Sequence, residues 1–357
     1  MSTGPLVTTC SLDAGKTPVK YCSPNDNTFT KLVLPLILQR VISWYINFAG
    51  FKAAILHHLG QPGMTVSIII INYNSFGLTS DCIQSVIRYT KEISYEIILV
   101  DNASAECDAG RFLEEFPGIR LIRSDKNGGF AYGNNLGIAA ATGDIILLLN
   151  SDTVLTEDSI SLSAQYVAAN PQAGVVSCRM TYPDGRIQYT ARRFRSISWE
   201  LLDLFRFIPL LMPYTKRAKR MLGKYFRHDT NLQADWLNGA FFMFPKKILA
   251  QLPGQQLDGR FFMYWEDQLW CEQIKNLGYQ QLFFAGTTII HINSGSTSLS
   301  KQLGLRKTMM KHELEIMRLR KGKGLYYFFF KMIYTGKEST RNLIKSIVFR
   351  ITGKLVR

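Results

Sequence analysis

Three apolar runs in this sequence end in clusters of amides and carboxylates. VSIIII leads into Asn72, Tyr73 and Asn74; YEIILV leads into Asp101, Asn102, Ala103 and Ser104; DIILLL leads into Asn150, Ser151 and Asp152. A carboxylate there can accept strong, charge-assisted hydrogen bonds from hydroxyl or N–H groups. Such an acid can also simply end a strand or cap a turn. Three exits of the same polar character point instead to a shared polar ligand. The first is not followed by GxGxxG, which argues against a dinucleotide oxidoreductase.

These three ends can meet only if their strands lie side by side. The β-branched runs at 66–71, 95–100, 119–123 and 144–149 predict strands, the first of them buried on both faces. Helical stretches at 77–89, 108–116 and 130–141 separate them. That alternation predicts a parallel sheet with right-handed crossovers, whose ligands sit beyond the carboxyl ends of the strands. Past Asn170 and Pro171 the rhythm loosens. Strands are expected at 175–180, 186–191, 240–244 and 281–285, a helix at 264–276 closing on Gly278, and His291 just after the last strand.

The segments VSIIIINYNS, IILVDNAS, NGGFAYGNNLGI and GDIILLLNSDT, in this order, resemble the nucleotide-sugar half of the family-two glycosyltransferases. DWLNGAFFMFPK, FFMYWEDQLWCEQIKNLGY and HINSGSTS resemble the second half. The resemblance spans residues 66–321 and is best to the rhamnosyltransferase-like branch, whose members build cell-surface polysaccharides. It implies the A-type glycosyltransferase fold, a Rossmann-like, mostly parallel sheet flanked by helices. It also implies inverting transfer of a sugar to a polysaccharide or lipid-diphosphate-linked acceptor, with dTDP-rhamnose the first donor to expect and a UDP-sugar the second.

The resemblance carries roles onto particular residues. Tyr73, Asn74 and Asp101 would hold the base and ribose of the nucleotide-sugar donor. The glycine-rich loop at Asn127 and the Asn134 segment would lie beside the donor; many relatives carry Arg where Asn134 stands. Asn150 and Asp152 occupy the place of a DxD element, where Mg2+ or Mn2+ would bridge protein and diphosphate, although Asn150 replaces the first acid. His291 would supply a further metal ligand or a diphosphate contact. Trp236, Asn238 and Gly239 resemble the acceptor-side segment. Asp267 would be the base that takes the acceptor hydroxyl's proton, with Glu266 beside it as orienter or substitute.

Charge is uneven along the chain. The net charge is +15, but residues 192–227 hold ten basic and two acidic residues, and 301–357 hold fifteen and three. Both stretches mix cations with apolar side chains. In the last, Ile344, Ile347, Ile351 and Leu355 share one helical face. Basic amphipathic helices suit an anionic membrane surface. Nucleic acid is the other polyanion, but no helix-turn-helix, zinc or RNA-recognition signature is present. No run reaches the roughly 18 apolar residues of a spanning helix. No CxxC pair or Cys/His zinc spacing occurs, and no secretory signal is evident, so a cytoplasmic protein, peripheral at the inner face of the plasma membrane, is expected.

The expected organisation is a mobile leader and amphipathic helix over 1–63, with its stripe from Val33 to Leu59. A nucleotide-sugar half follows at 64–155, then an acceptor and catalytic half at 156–300 with a basic insert at 192–228, and amphipathic helices at 301–357. Asn150 keeps open a catalytically inactive nucleotide-binding partner as an alternative.

Overall fold

The structure, a computed structural model, describes residues 63–292 and 299–352. All of them belong to one compact unit, His58–Arg357. The expected leader and its stripe, residues 293–298 of the HINSGSTS segment, and Leu355 lie outside the described residues.

The first half follows the apolar rhythm closely. Its elements are β1 (Thr65–Asn72), α1 (Phe76–Tyr89), β2 (Ser94–Asp101), α2 (Arg111–Glu115), β3 (Arg120–Arg123), α3 (Phe130–Ala140) and β4 (Ile145–Asn150). The four strands are parallel, ordered β3-β2-β1-β4. Alternation sends Ile68 and Ile70 to one face of the sheet, under Ile83 and Val86 of α1. Ile69 goes to the other face, with Ala131 and Ile138 of α3. Register sets Asn72 beside Asp101 and Ile71 beside Asn150, so the three polar exits share one edge.

The second half continues the same sheet. It comprises β5 (Thr153–Leu155), α4 (Ser159–Ala169), β6 (Ala173–Thr181), β7 (Ile187–Gln188), β8 (Ala191–Arg192), α5 (Ile197–Leu204), α6 (Phe207–Leu211), α7 (Tyr214–Met221), β9 (Leu232–Ala234), β10 (Trp236–Leu237), β11 (Phe241–Pro245), α8 (Glu266–Asn276), β12 (Gln280–His291), α9 (Leu299–Lys321) and α10 (Leu325–Thr352). β11 lies antiparallel between β4 and β6, and β12 runs parallel to β6. Fully buried Trp270 roots α8 in the same face as α3; such a side chain is worth about 3–5 kcal/mol against alanine.

Three expectations change. The strand foreseen at 186–191 is two short strands, because the chain turns so that β7 pairs with β6 and β8 with β10. β12 outruns the foreseen 281–285: after an irregularity between Phe284 and Thr288 it resumes and ends on His291, which pairs with Thr153. The helix foreseen from 264 starts at Glu266, because Tyr264 and Trp265 have φ of +71° and +72°.

The basic insert and the tail meet in a buried ion network. Lys337 of α10 reaches Asp203 of α5 at 3.0 Å and also pairs with Glu200. Arg341 and Lys224 reach Asp203 at 2.6 and 2.8 Å. Burial alone would raise the Asp203 pKa, but hydrogen bonds from Lys224 and Arg341 and the charge of Lys337 hold it well below the carboxylate range. Part of the basic excess is thus neutralised inside the protein. α10 also leaves Leu325, Phe328, Phe329, Met332, Ile344, Ile347 and Ile351 exposed. Among the described residues no helix is long and apolar enough to cross a membrane.

Candidate active site

The polar edge of the sheet opens into a cavity of about 1170 Å³. Tyr73, Asn102, Asn127, Asn150, Asp152 and His291 line it together with Arg192, Trp236, Asn238, Gly239, Glu266 and Asp267. Two distant segments close its floor by backbone contact. Gly129, at φ +89°, lets the glycine-rich loop run against the segment before α8: Phe130 N donates to Phe262 O at 2.9 Å, and a Cβ on Gly129 would meet that oxygen at 2.2 Å.

Asp267 sits in the first turn of α8, and its Oδ2 accepts from Gly239 N at 3.0 Å. A Cβ on Gly239 would stand 3.3 Å from Asp267 Cβ, so the β10–β11 link abuts the carboxylate. Burial pushes the Asp267 pKa up to about 6 against hydrogen bonds from Gly239 and Gln268 and the charge of Arg192. Burial, with the Asp267 charge, pushes Glu266 up to about 8. Burial favours the protonated form of both groups, and the Asp267 charge adds to the rise at Glu266, so Asp267 is the member of the pair that ionises first. Glu266 Oε2 is buried without a hydrogen-bond partner.

The left-handed conformation of Tyr264 and Trp265 is unfavourable for residues with side chains. It is clamped from α9. His312 Nδ1 donates to Tyr264 O at 2.8 Å, and Trp265 Nε1 donates to buried Glu313 at 2.5 Å. Gln268 Nε2 also donates to Glu313, at 3.3 Å. The C-terminal helices therefore help to position Glu266 and Asp267.

At the other end of the cavity His291 Nε2 stands 3.2 Å from Asp152 Oδ1 and 3.5 Å from Asn150 Nδ2. Asn150 Oδ1 is buried with no partner. No group of three or more His, Cys, Asp or Glu that could hold a metal occurs among the described residues. The set still fits a hard cation arriving with a diphosphate, because Mg2+ commonly takes one or two protein carboxylates and fills its shell with phosphate oxygens and water.

Three sequence-derived candidates do not line the cavity. Asn74 spends its Oδ1 on Ala105 N and Glu106 N, tying two loops together. Asp101 is buried and accepts from Asn72 Nδ2 and Ser104 N, so it organises its turn. Asn134 is buried in α3, donating to Phe130 O. Asn102 takes the place at the wall beside Tyr73, and its Nδ2 holds Asn127 Oδ1 at 3.0 Å. Trp236 reaches the cavity, with the Arg192 guanidinium 5.2 Å from its ring centre. Arg192, Gln188, His312 and Glu313 were not singled out from sequence. Each acts through a partner far away in the chain, and no local pattern marks them.

Residues 67–235 match the profile of glycosyl transferase family 2. The O-antigen biosynthesis protein RfbC of Myxococcus xanthus is 28% identical over 65% of this chain and 17% of its own length. The N-acetylglucosaminyl-diphospho-decaprenol L-rhamnosyltransferase of Mycobacterium tuberculosis is 23% identical over 56% of this chain and 67% of its own. The chain spans 14%, 35% and 17% of the first curated relatives it matches, well under two thirds. In fold it is similar to GalNAc-T7, solved with UDP, GalNAc and Mn2+, at a TM-score of 0.50 and 14% identity over 77% of this chain and 55% of that one. With a sheet of this order, the chain has an A-type glycosyltransferase fold, and the stretch that matches the family-two profile carries the three polar strand ends.

Proposed function

We propose that this protein transfers a sugar from a nucleotide-sugar donor to an acceptor hydroxyl with inversion, in a single displacement. The observation that carries the reading is the Asp267 carboxylate, held by Gly239 N in the same cavity as the polar strand ends. The donor nucleotide would lie along Tyr73 and Asn102, with its diphosphate toward Asp152. The acceptor would enter past Trp236 and Asn238. As its oxygen bonds to the anomeric carbon, its proton passes to Asp267 and the bond from that carbon to the diphosphate oxygen breaks. A bound Mg2+ or Mn2+ would stabilise the charge growing on the departing nucleoside diphosphate. Asp152 and His291 would hold it, with Asn150 nearby.

dTDP-rhamnose is the favoured donor and a diphosphate-linked lipid the favoured acceptor; the Mycobacterium tuberculosis relative's name supports the sugar and the lipid. A membrane setting is supported by the exposed apolar side chains on α6 and α10, such as Phe207, Leu211, Phe328 and Phe329, amid basic residues. The test is calorimetric titration with dTDP- and UDP-sugars in the presence of Mn2+. Saturable binding of one series is expected; no binding of any nucleotide sugar would overturn the reading.

A further inference from the structure

His291 has a partner that settles which of its nitrogens faces the cavity. Gln188 of β7 is buried, and its side-chain amide is fixed by two carbonyls: Nε2 donates to His291 O at 2.6 Å and to Thr181 O at 3.4 Å. Turning the amide over would set Oε1 against both carbonyl oxygens. Oε1 therefore faces the imidazole, 2.8 Å from Nδ1. An amide oxygen only accepts, so Nδ1 must carry the proton. In the neutral ring this leaves Nε2 with its lone pair directed toward Asp152 Oδ1, 3.2 Å away. Two acceptors at that distance repel unless a cation or a second ring proton lies between them.

We infer that Gln188 is a positioning residue that locks His291 in the Nδ1–H tautomer and so aims Nε2, together with Asp152, at a divalent cation. It acts through the imidazole. Without an acceptor at Nδ1 the ring can place its proton on Nε2 and donate it to Asp152, which closes the cation position with an internal hydrogen bond. This deepens the proposed function by naming what orients the metal ligand, and it rests on that reading for the cation's role. The tautomer itself can be tested without substrate.

The chain has five histidines, few enough for long-range proton–nitrogen NMR on full-length protein with 15N-labelled histidine and no added metal. His291→Asn assigns the signal. The neutral His291 ring is expected to show a protonated Nδ1 and a bare Nε2; a protonated Nε2 would overturn the inference whatever donor the enzyme uses. Gln188→Met, of similar size but without the acceptor, should move the proton to Nε2. It should also weaken Mn2+ binding, read by electron paramagnetic resonance with Mn2+ alone, by about 10–100-fold. Equal Mn2+ affinity in wild type and Gln188→Met, or no Mn2+ binding by wild type, contradicts the assignment. Loss of nucleotide-sugar transfer with the tautomer intact would instead count against the proposed function.

Discussion

The side of the cavity proposed to hold the donor and the side proposed to hold the acceptor are built in different ways. The donor side is one run of alternating strands and helices, β1 to β4, whose polar ends meet because neighbouring parallel strands share a register. The acceptor side draws Arg192, Trp236, Asp267 and Glu313 from four separate segments and joins them through backbone contacts and buried charges. The donor side is thus held by apolar packing that any similar hydrophobic run could supply. The acceptor side depends on particular partners, and loss of one at buried Glu313 leaves a charge unmatched.

The largest effect should come where the acceptor side does its chemistry. Asp267→Asn keeps the shape but removes the basicity. Transfer should fall by about 10²–10⁴ while calorimetric nucleotide binding stays within about twofold. Loss of nucleotide binding as well would blur the division between the two sides.

The next tests the structural contrast. Lys337→Met deprives buried Glu200 and Asp203 of a shared cation and should lower unfolding stability by about 3 kcal/mol in urea titration. On the donor side Asp152→Ala should change it by less than about 1 kcal/mol. Equal effects would erase the contrast. Cutting the chain after Gly324 would remove buried Phe330, Tyr334 and Lys337, so it tests stability together with membrane attachment.

A smaller effect follows from pH. The Asp267 pKa is raised from 3.8 to about 6, so transfer should fall about tenfold per unit as pH drops below that value, read from kcat/KM between pH 5 and 8. Stability runs the other way. The folded state holds these protons more tightly than the unfolded chain, so stability is lost as pH rises from 3.8 to about 6 for Asp267 and from 4.5 to about 8 for Glu266. A rate that is flat across pH 6 would remove Asp267 as the titrating base.

The smallest effect concerns the outer face. Leu211→Asp, at a side chain 84% exposed, should reduce sedimentation with anionic vesicles several-fold and leave nucleotide binding unchanged. Unchanged sedimentation would take α6 out of the membrane contact.

Legibility in the sequence follows the same division. The apolar runs predicted β1, β2 and β4 to within a residue or two, because strands buried on both faces leave an unbroken hydrophobic signature. The residues at their ends were harder to assign. Asp101 and Asn134 belong to recognisable segments, yet the structure turns both inward, and motif position alone does not give side-chain direction. Glu313 was invisible for another reason. An acid in a basic helix reads as a solvated face, and only the fold brings it to the Trp265 indole. The expected strand at 186–191 gave no sign that it divides into β7 and β8, and its apolar pattern does not mark the polar side chains of Gln188 and Arg192 as site residues.

In the proposed reaction Asp267 serves as the only protein base in one displacement. The most direct measurement is the anomeric configuration of the product, read from its one-bond carbon–proton coupling by NMR and compared with that of the donor. A single displacement driven by Asp267 predicts an inverted product. A retained configuration would require a second nucleophilic step and would contradict the account.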